Sequence, residues 1–160
     1  MVIINKTNQS LVEAQLTRII KLDGVGKQRK KLTREVVLAI RELMRLEEVN
    51  TETRDLASFI ALNLEAIYQT IDLTVAAWEK RDYWVKADRF RMEWAWSGKL
   101  AKEMGEAIQK DDWQAVALIS AQAAQKLNKV QVPQRHRLGE PWHGAWEEFK
   151  KSELYQQSLS

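Results

Sequence analysis

The chain has two histidines, and the groups around them are its most obvious candidates for chemistry. His143 lies three residues after Glu140 and four before Glu147, so on a helix all three would share one face. A Glu-x-x-His pair in a helical bundle holds transition metals only alongside a second such pair and further glutamates. No second pair exists, because His136 sits between Arg135 and Arg137. No metal or other cofactor is therefore expected. The plainer role for His143 is a surface or interface imidazole beside Trp142 and Trp146. Arg135, His136 and Arg137 make either an anion contact or an exposed basic loop that touches carboxylates elsewhere. With no cysteine there is no thiolate nucleophile, and no Gly-x-Ser-x-Gly elbow occurs. No catalytic residue is assigned.

A second constellation is Leu22-Asp23-Gly24-Val25-Gly26-Lys27 with the cations Arg29, Lys30, Lys31 and Arg34 behind it. It is not a P-loop, since the upstream glycine and the Ser/Thr after lysine are missing. The Gly24-Val25-Gly26 turn, preceded by Ile19 and Leu22, resembles the hairpin of helix-hairpin-helix nucleic-acid binders. That resemblance implies backbone N–H groups of Gly24 and Gly26 offered to a phosphate, with Lys27, Arg29, Lys30 and Lys31 adding contacts. It covers about ten residues in one copy. Its second half departs from the pattern, because Lys30 stands where a small buried residue belongs. Leu32 and Val36 are also out of step. The alternative is a glycine helix stop, with Gly24 at C′, followed by a solvated basic turn.

Lys80, Arg81, Lys86, Arg89 and Arg91 interleave with Tyr83, Trp84, Phe90, Trp94 and Trp96. Such mixing serves single-stranded nucleic acid or a membrane surface in some proteins. Here Asp82, Asp88 and Glu93 neutralise most of the charge, and Phe90 and Trp94 share a helical stripe. Core packing under arginine stems is the expected role.

The element that must position all of this is the segment from Asn50 to Trp78. Leu56, Ile60, Leu64, Ile67, Ile71, Val75 and Trp78 recur at spacings of four or three, a period that keeps one stripe nearly straight along a helix. Phe59, Leu62, Ala66, Leu73 and Ala77 form a second stripe beside it. A helix apolar over so much of its circumference is expected to be covered from more than one side. Around it the pattern predicts a helix from Ser10 to about Leu22 and another carrying Leu32, Val36, Ile40 and Leu43. Asn50 or Thr51 would cap the central helix. A turn near 79–82 with Asp82 as N-cap would follow, so that 51–109 is either two helices or one kinked helix.

The stretch from Tyr83 to Ile108 carries two apolar stripes, with Ser97-Gly98 a place to bend. Trp113 to about Leu127 is alanine-rich and should dock closely. Residues 129–140 read as an extended basic linker, and a short last helix begins at Pro141 with Trp142, Trp146 and Phe149 on one face. Residues 1–9 and 155–160 are expected to fray.

Length fits one domain of 160 residues, enough to bury roughly 70% of the unfolded surface without staples. The net charge of +3 is too small to impose a nucleic-acid reading. No run reaches the ~20 apolar residues of a membrane span, and Met1-Val2-Ile3-Ile4-Asn5-Lys6 turns polar too soon for a signal peptide, so the cytoplasm is expected. Seven tryptophans with two prolines and six glycines favour long helices and bulky anchors. The expected fold is an all-α, single-domain antiparallel bundle of five to six helices. The expected role is non-catalytic, through association with a protein partner or with itself by way of Trp142, Trp146 and Phe149. The alternative is nucleic-acid binding through residues 24–34.

Overall fold

The structure, a computed structural model, describes residues 22–158. The helix expected from Ser10 and the residues expected to fray at 1–9 lie outside the described residues. Six helices are present among the described residues: α1 (Leu22–Leu43), α2 (Thr51–Glu79), α3 (Trp84–Gln109), α4 (Trp113–Lys126), α5 (Ala145–Lys150) and α6 (Glu153–Ser158). No strand occurs among the described residues. The chain is an all-α helical bundle.

The central helix is α2, and its start is built as its sequence suggests. Asn50 Oδ1 accepts from the Thr53 N–H at 3.0 Å, and Thr53 Oγ1 accepts from the Asn50 N–H at 3.3 Å, closing a capping box. Leu56, Ile60, Leu64, Ile67, Ile71 and Val75 are all buried. Of the second stripe Phe59 is buried, while Leu62, Ala66, Leu73 and Ala77 are only half-buried. The other covered side of α2 is small and polar instead, with Ser58, Asn63, Thr70 and Thr74 inside. Small residues and hydroxyls let neighbouring backbones approach, and Thr70 and Thr74 each donate to a carbonyl of their own helix.

Helix α1 lies antiparallel to α2. Arg29, near its start, donates to Thr70 and Thr74, while Glu35 Oε2 further along accepts from Asn63 Nδ2 at 3.1 Å. Helix α3 is antiparallel on another side, with Arg91 bonded to Glu79 near its beginning, Gly98 against Tyr68 in its middle and Asp111 bonded to Arg54 just past its end. The break between α2 and α3 falls as expected, but Asp82 is not the cap. It takes φ of 63°, and Tyr83 occupies the cap position without a side-chain bond. Ser97-Gly98 does not split α3.

Helix α4, capped by Asp112 Oδ1 accepting from the Ala115 N–H, is only 14 residues against 26 for α3. By helix rise these are about 21 Å and 39 Å. Folding back from a short link, α4 therefore covers only the later part of α3. Leu100, Met104 and Ala107 are buried, whereas Val85 and Met92 on the same stripe are exposed. The two ends of this stripe therefore meet different surroundings, because no described helix covers Val85 and Met92. Helices α5 and α6 close the far end, where Leu154 is buried and Tyr155 meets Phe149 edge-on at 5.7 Å. Residues 155–158, expected to fray, belong to α6.

Candidate interaction surfaces

The proposed Gly-Val-Gly turn is helical. Leu22–Leu43 runs unbroken through Gly24 and Gly26, and neither glycine has positive φ. Val25 is buried and begins the inward stripe continued by Leu32, Val36 and Ile40. Tertiary packing of that stripe outweighs the weak helix propensity of two glycines, about 1 kcal/mol each. The hairpin expected at Gly24-Val25-Gly26 is therefore overturned. Within α1 the N–H of Gly26, more than a turn inside, is committed to the turn before it and is not free for a phosphate.

Continuing the helix also sorts the basic run. Lys27, Lys30, Lys31 and Arg34 recur at three, four and seven residues and are all exposed, forming one outward stripe. Lys31 Nζ lies 3.8 Å from Glu35 Oε1, so one of the four has an acid nearby. Arg29 does not belong to this stripe. Its guanidinium points into the bundle, donating to Thr70 Oγ1 at 3.1 Å, to the Thr70 carbonyl at 3.3 Å and to Thr74 Oγ1 at 2.7 Å. It also lies over the Phe90 ring at 4.8 Å, and burial pulls its pKa below the ordinary value. Arg29 is a bridge between α1, α2 and α3, not a free anion contact.

The linker at 129–140 carries no helix, as expected, and it is held down. Arg41 Nη1 donates to the Val132 carbonyl at 2.8 Å. That anchor is two turns beyond Arg34, about 10 Å along the α1 axis. Arg135 and Arg137 are exposed on the linker, and His136 Nδ1 accepts from the Leu138 N–H at 3.2 Å.

The aromatic trio expected to form a contact surface is turned the other way. Trp142 is 2% exposed and Phe149 0%, both inside the main core, and only Trp146 is half-buried. They cannot be an open contact face. The cause is Asp55, near the start of α2. It is buried, and its carboxylate accepts from the N–H groups of Gly144 at 3.2 Å and Trp146 at 3.0 Å. It caps α5 from another helix and pulls the aromatic face inward. Arg54 then packs over Trp146 at 4.9 Å and Trp113 at 5.5 Å. His143 Nε2 pairs with Glu140 at 2.9 Å on the surface, which raises its pKa, while Glu147 bonds Lys150 instead. No group of three His, Asp or Glu side chains is placed to hold a metal ion among the described residues.

The exposed apolar surface lies elsewhere. Trp84 is 55%, Val85 67% and Met92 75% exposed, and Tyr83 adjoins them. On α3 the positions 85, 89, 92 and 96 are successive points of one outward stripe: Val85, Arg89, Met92 and half-buried Trp96. Trp96 stacks on Trp94 at 5.8 Å, which in turn contacts Phe90, so the patch rests on a firm aromatic base. Arg91, one of the interleaved cations, is spoken for by Glu79 at 2.7 Å and Asp88 at 2.9 Å. Lys86 lies 4.4 Å over Trp78.

The chain matches no protein-family model, no curated protein and no solved structure.

Two surface clefts complete the picture. One, of about 300 Å³, lies between α3 and α4 beside Glu103, Lys110 and Leu118. The other, of about 240 Å³, is lined by Arg54, Asp111, Trp146 and Lys150. In the second the cations are already paired, Arg54 with Asp111 at 2.9 Å and Lys150 with Glu147 at 2.9 Å. No described helix is long and apolar enough to cross a membrane.

Proposed function

We propose that the protein is a non-catalytic helical bundle that acts by associating with a protein surface through the outer face of the first half of α3. The supporting observation is the exposed cluster of Trp84, Val85 and Met92 on a rigid helix, where water covers what α4 is too short to reach. Large apolar groups gathered on one face mark interaction sites far more often than scattered ones do. Tryptophan and methionine are favoured anchors at such contacts. A cytoplasmic setting is part of the proposal, and a cysteine-free chain is compatible with it. The test is the double change Val85→Asp with Met92→Lys, which touches only exposed positions and should leave the thermal melt unchanged. Recovery of bound protein from native cells should fall at least about tenfold, the equivalent of 1.4 kcal/mol. Equal recovery would remove the proposal.

A second reading rests on the outward stripe of Lys27, Lys30, Lys31 and Arg34, which is spaced to follow a phosphate backbone. It predicts salt-dependent binding to a generic duplex, weakened when Lys27, Lys30 and Lys31 are changed to alanine. A gel-shift series blank at low salt ends it.

A further inference from the structure

The chemistry of the α3 face says what fits it. Its apolar residues Val85, Met92 and Trp96 are flanked by charges of both signs, with Arg89 and Glu93 on one side and Asp88 on the other. Asp88 is held by Arg91. Arg89 and Glu93, by contrast, make no ion pair among the described residues, although both are exposed and one helical turn apart. An anionic membrane or a nucleic acid would meet Glu93, Asp88 and Asp82 as well as the cations. A partner carrying the reverse arrangement would satisfy both charges, and the face itself, turned end for end, is such a partner.

The register follows from helix geometry. A two-fold axis at the level of residue 91 relates position 89 to 93 and position 85 to 97, next to Trp96. Two antiparallel α3 helices in that register bring Arg89 of each copy to Glu93 of the other, twice. They also set Val85 against Trp96 and Met92 close to its own symmetry mate. Contacts of this isologous kind are the usual way a single patch closes on itself. Antiparallel helices pair flanking charges across the seam in the same manner that sets partner choice in coiled coils.

We propose that the outer face of α3, from Val85 to Trp96, is the contact of a homodimer in which the two α3 helices cross antiparallel about residue 91. This rests on the association reading above and names its partner as a second copy of the chain.

The natural absence of cysteine makes the test clean. In full-length protein, Met92→Cys should form a covalent dimer under mild oxidation. Leu118→Cys, equally exposed but on α4, should not. Arg89→Glu alone and Glu93→Arg alone should each raise the dimer dissociation constant at least about tenfold, because like charges then face each other. The two changes together should restore it. Far-ultraviolet circular dichroism of all five variants should match the parent, since every position is exposed. Failure of the double swap to restore association overturns the register. A parent chain that sediments as a monomer up to about 100 µM, a concentration that would populate even weak dimers, overturns the proposal. If such a monomer still loses a captured partner on Val85→Asp with Met92→Lys, the dimer is wrong and the association reading survives.

Discussion

Asp55 Oδ1 accepts a hydrogen bond from the backbone N–H of Trp146 at 3.0 Å, tying the start of α2 to the start of α5 across 91 positions of the chain. A second bond, from the Gly144 N–H, completes the cap. Gly144 itself stands at φ of 81°, a left-handed conformation that suits glycine and turns the chain into α5. A helix of six residues has little stability of its own, so this long-range cap and the burial of Trp142 and Phe149 hold it in place.

Asp55→Ala should cost about 2 kcal/mol, because two N–H groups lose a charged acceptor. Asp55→Asn keeps an acceptor and should cost less than half as much. Urea denaturation measures both. Hydrogen exchange should show residues 142–150 opening before α2, and uniform loss of protection would refute the local role.

Glycine substitutions separate a helix from a hairpin. A Cβ at Gly24 or Gly26 meets nothing within 4 Å, so alanine at either position should stabilise by about 0.5–1 kcal/mol. Were these residues a turn needing positive φ, both changes would destabilise. Gly98 is the opposite case. An added Cβ would lie 2.8 Å from Tyr68 Cδ2, and Gly98→Ala should cost about 1–3 kcal/mol by forcing α2 and α3 apart.

Arg29 offers a test of what a half-buried cation contributes. Removing its charge leaves no orphan, because Thr70 Oγ1 still donates to the Ile67 carbonyl at 2.6 Å and Thr74 Oγ1 to the Thr70 carbonyl at 3.0 Å. Arg29→Met keeps the stem against Phe90 and relieves the desolvation that lowers the arginine pKa. Its stability should stay within about 1 kcal/mol of the parent. Arg29→Ala, which also removes the packing, should be the worse of the two in the same denaturant series. A loss well above 1 kcal/mol in Arg29→Met, which keeps the packing, would mean that the charge itself stabilises the groove.

Glu65 sets a pH dependence. Burial first, then the neighbouring Glu153 and Asp72, raise its pKa above the ordinary carboxylate range. The folded state therefore binds the proton more tightly than the unfolded chain. Stability contributed by this group falls as pH rises from the ordinary glutamate value through the raised one. Glu65→Gln should remove that slope and raise the melting temperature at neutral pH. A mutant whose melting profile tracks the parent from pH 4 to 7 would show that Glu65 is not the group responsible.

Helical periodicity made α2 legible before any coordinates. Its inward stripe from Leu56 to Val75 and its Asn50 cap depend on side-chain spacing and on local hydrogen bonds, both written in consecutive residues. Local propensity favours a stop at Gly24, and the helix runs through it. The packing of Leu32 and Val36 into the core with α2 decides against the stop.

The same limit explains the two surfaces. Apolar spacing marks Val85, Met92, Leu100 and Met104 as one stripe, and marks Trp142, Trp146 and Phe149 as another. It cannot say which stripe another element will cover. Coverage is a long-range matter: the reach of α4 leaves Val85 and Met92 in water, and the carboxylate of Asp55 draws α5 and its aromatic face inward. Composition and spacing determined an all-helical chain built on α2. Only the tertiary arrangement chose the residues left to meet a partner, because burial depends on groups far away in the chain.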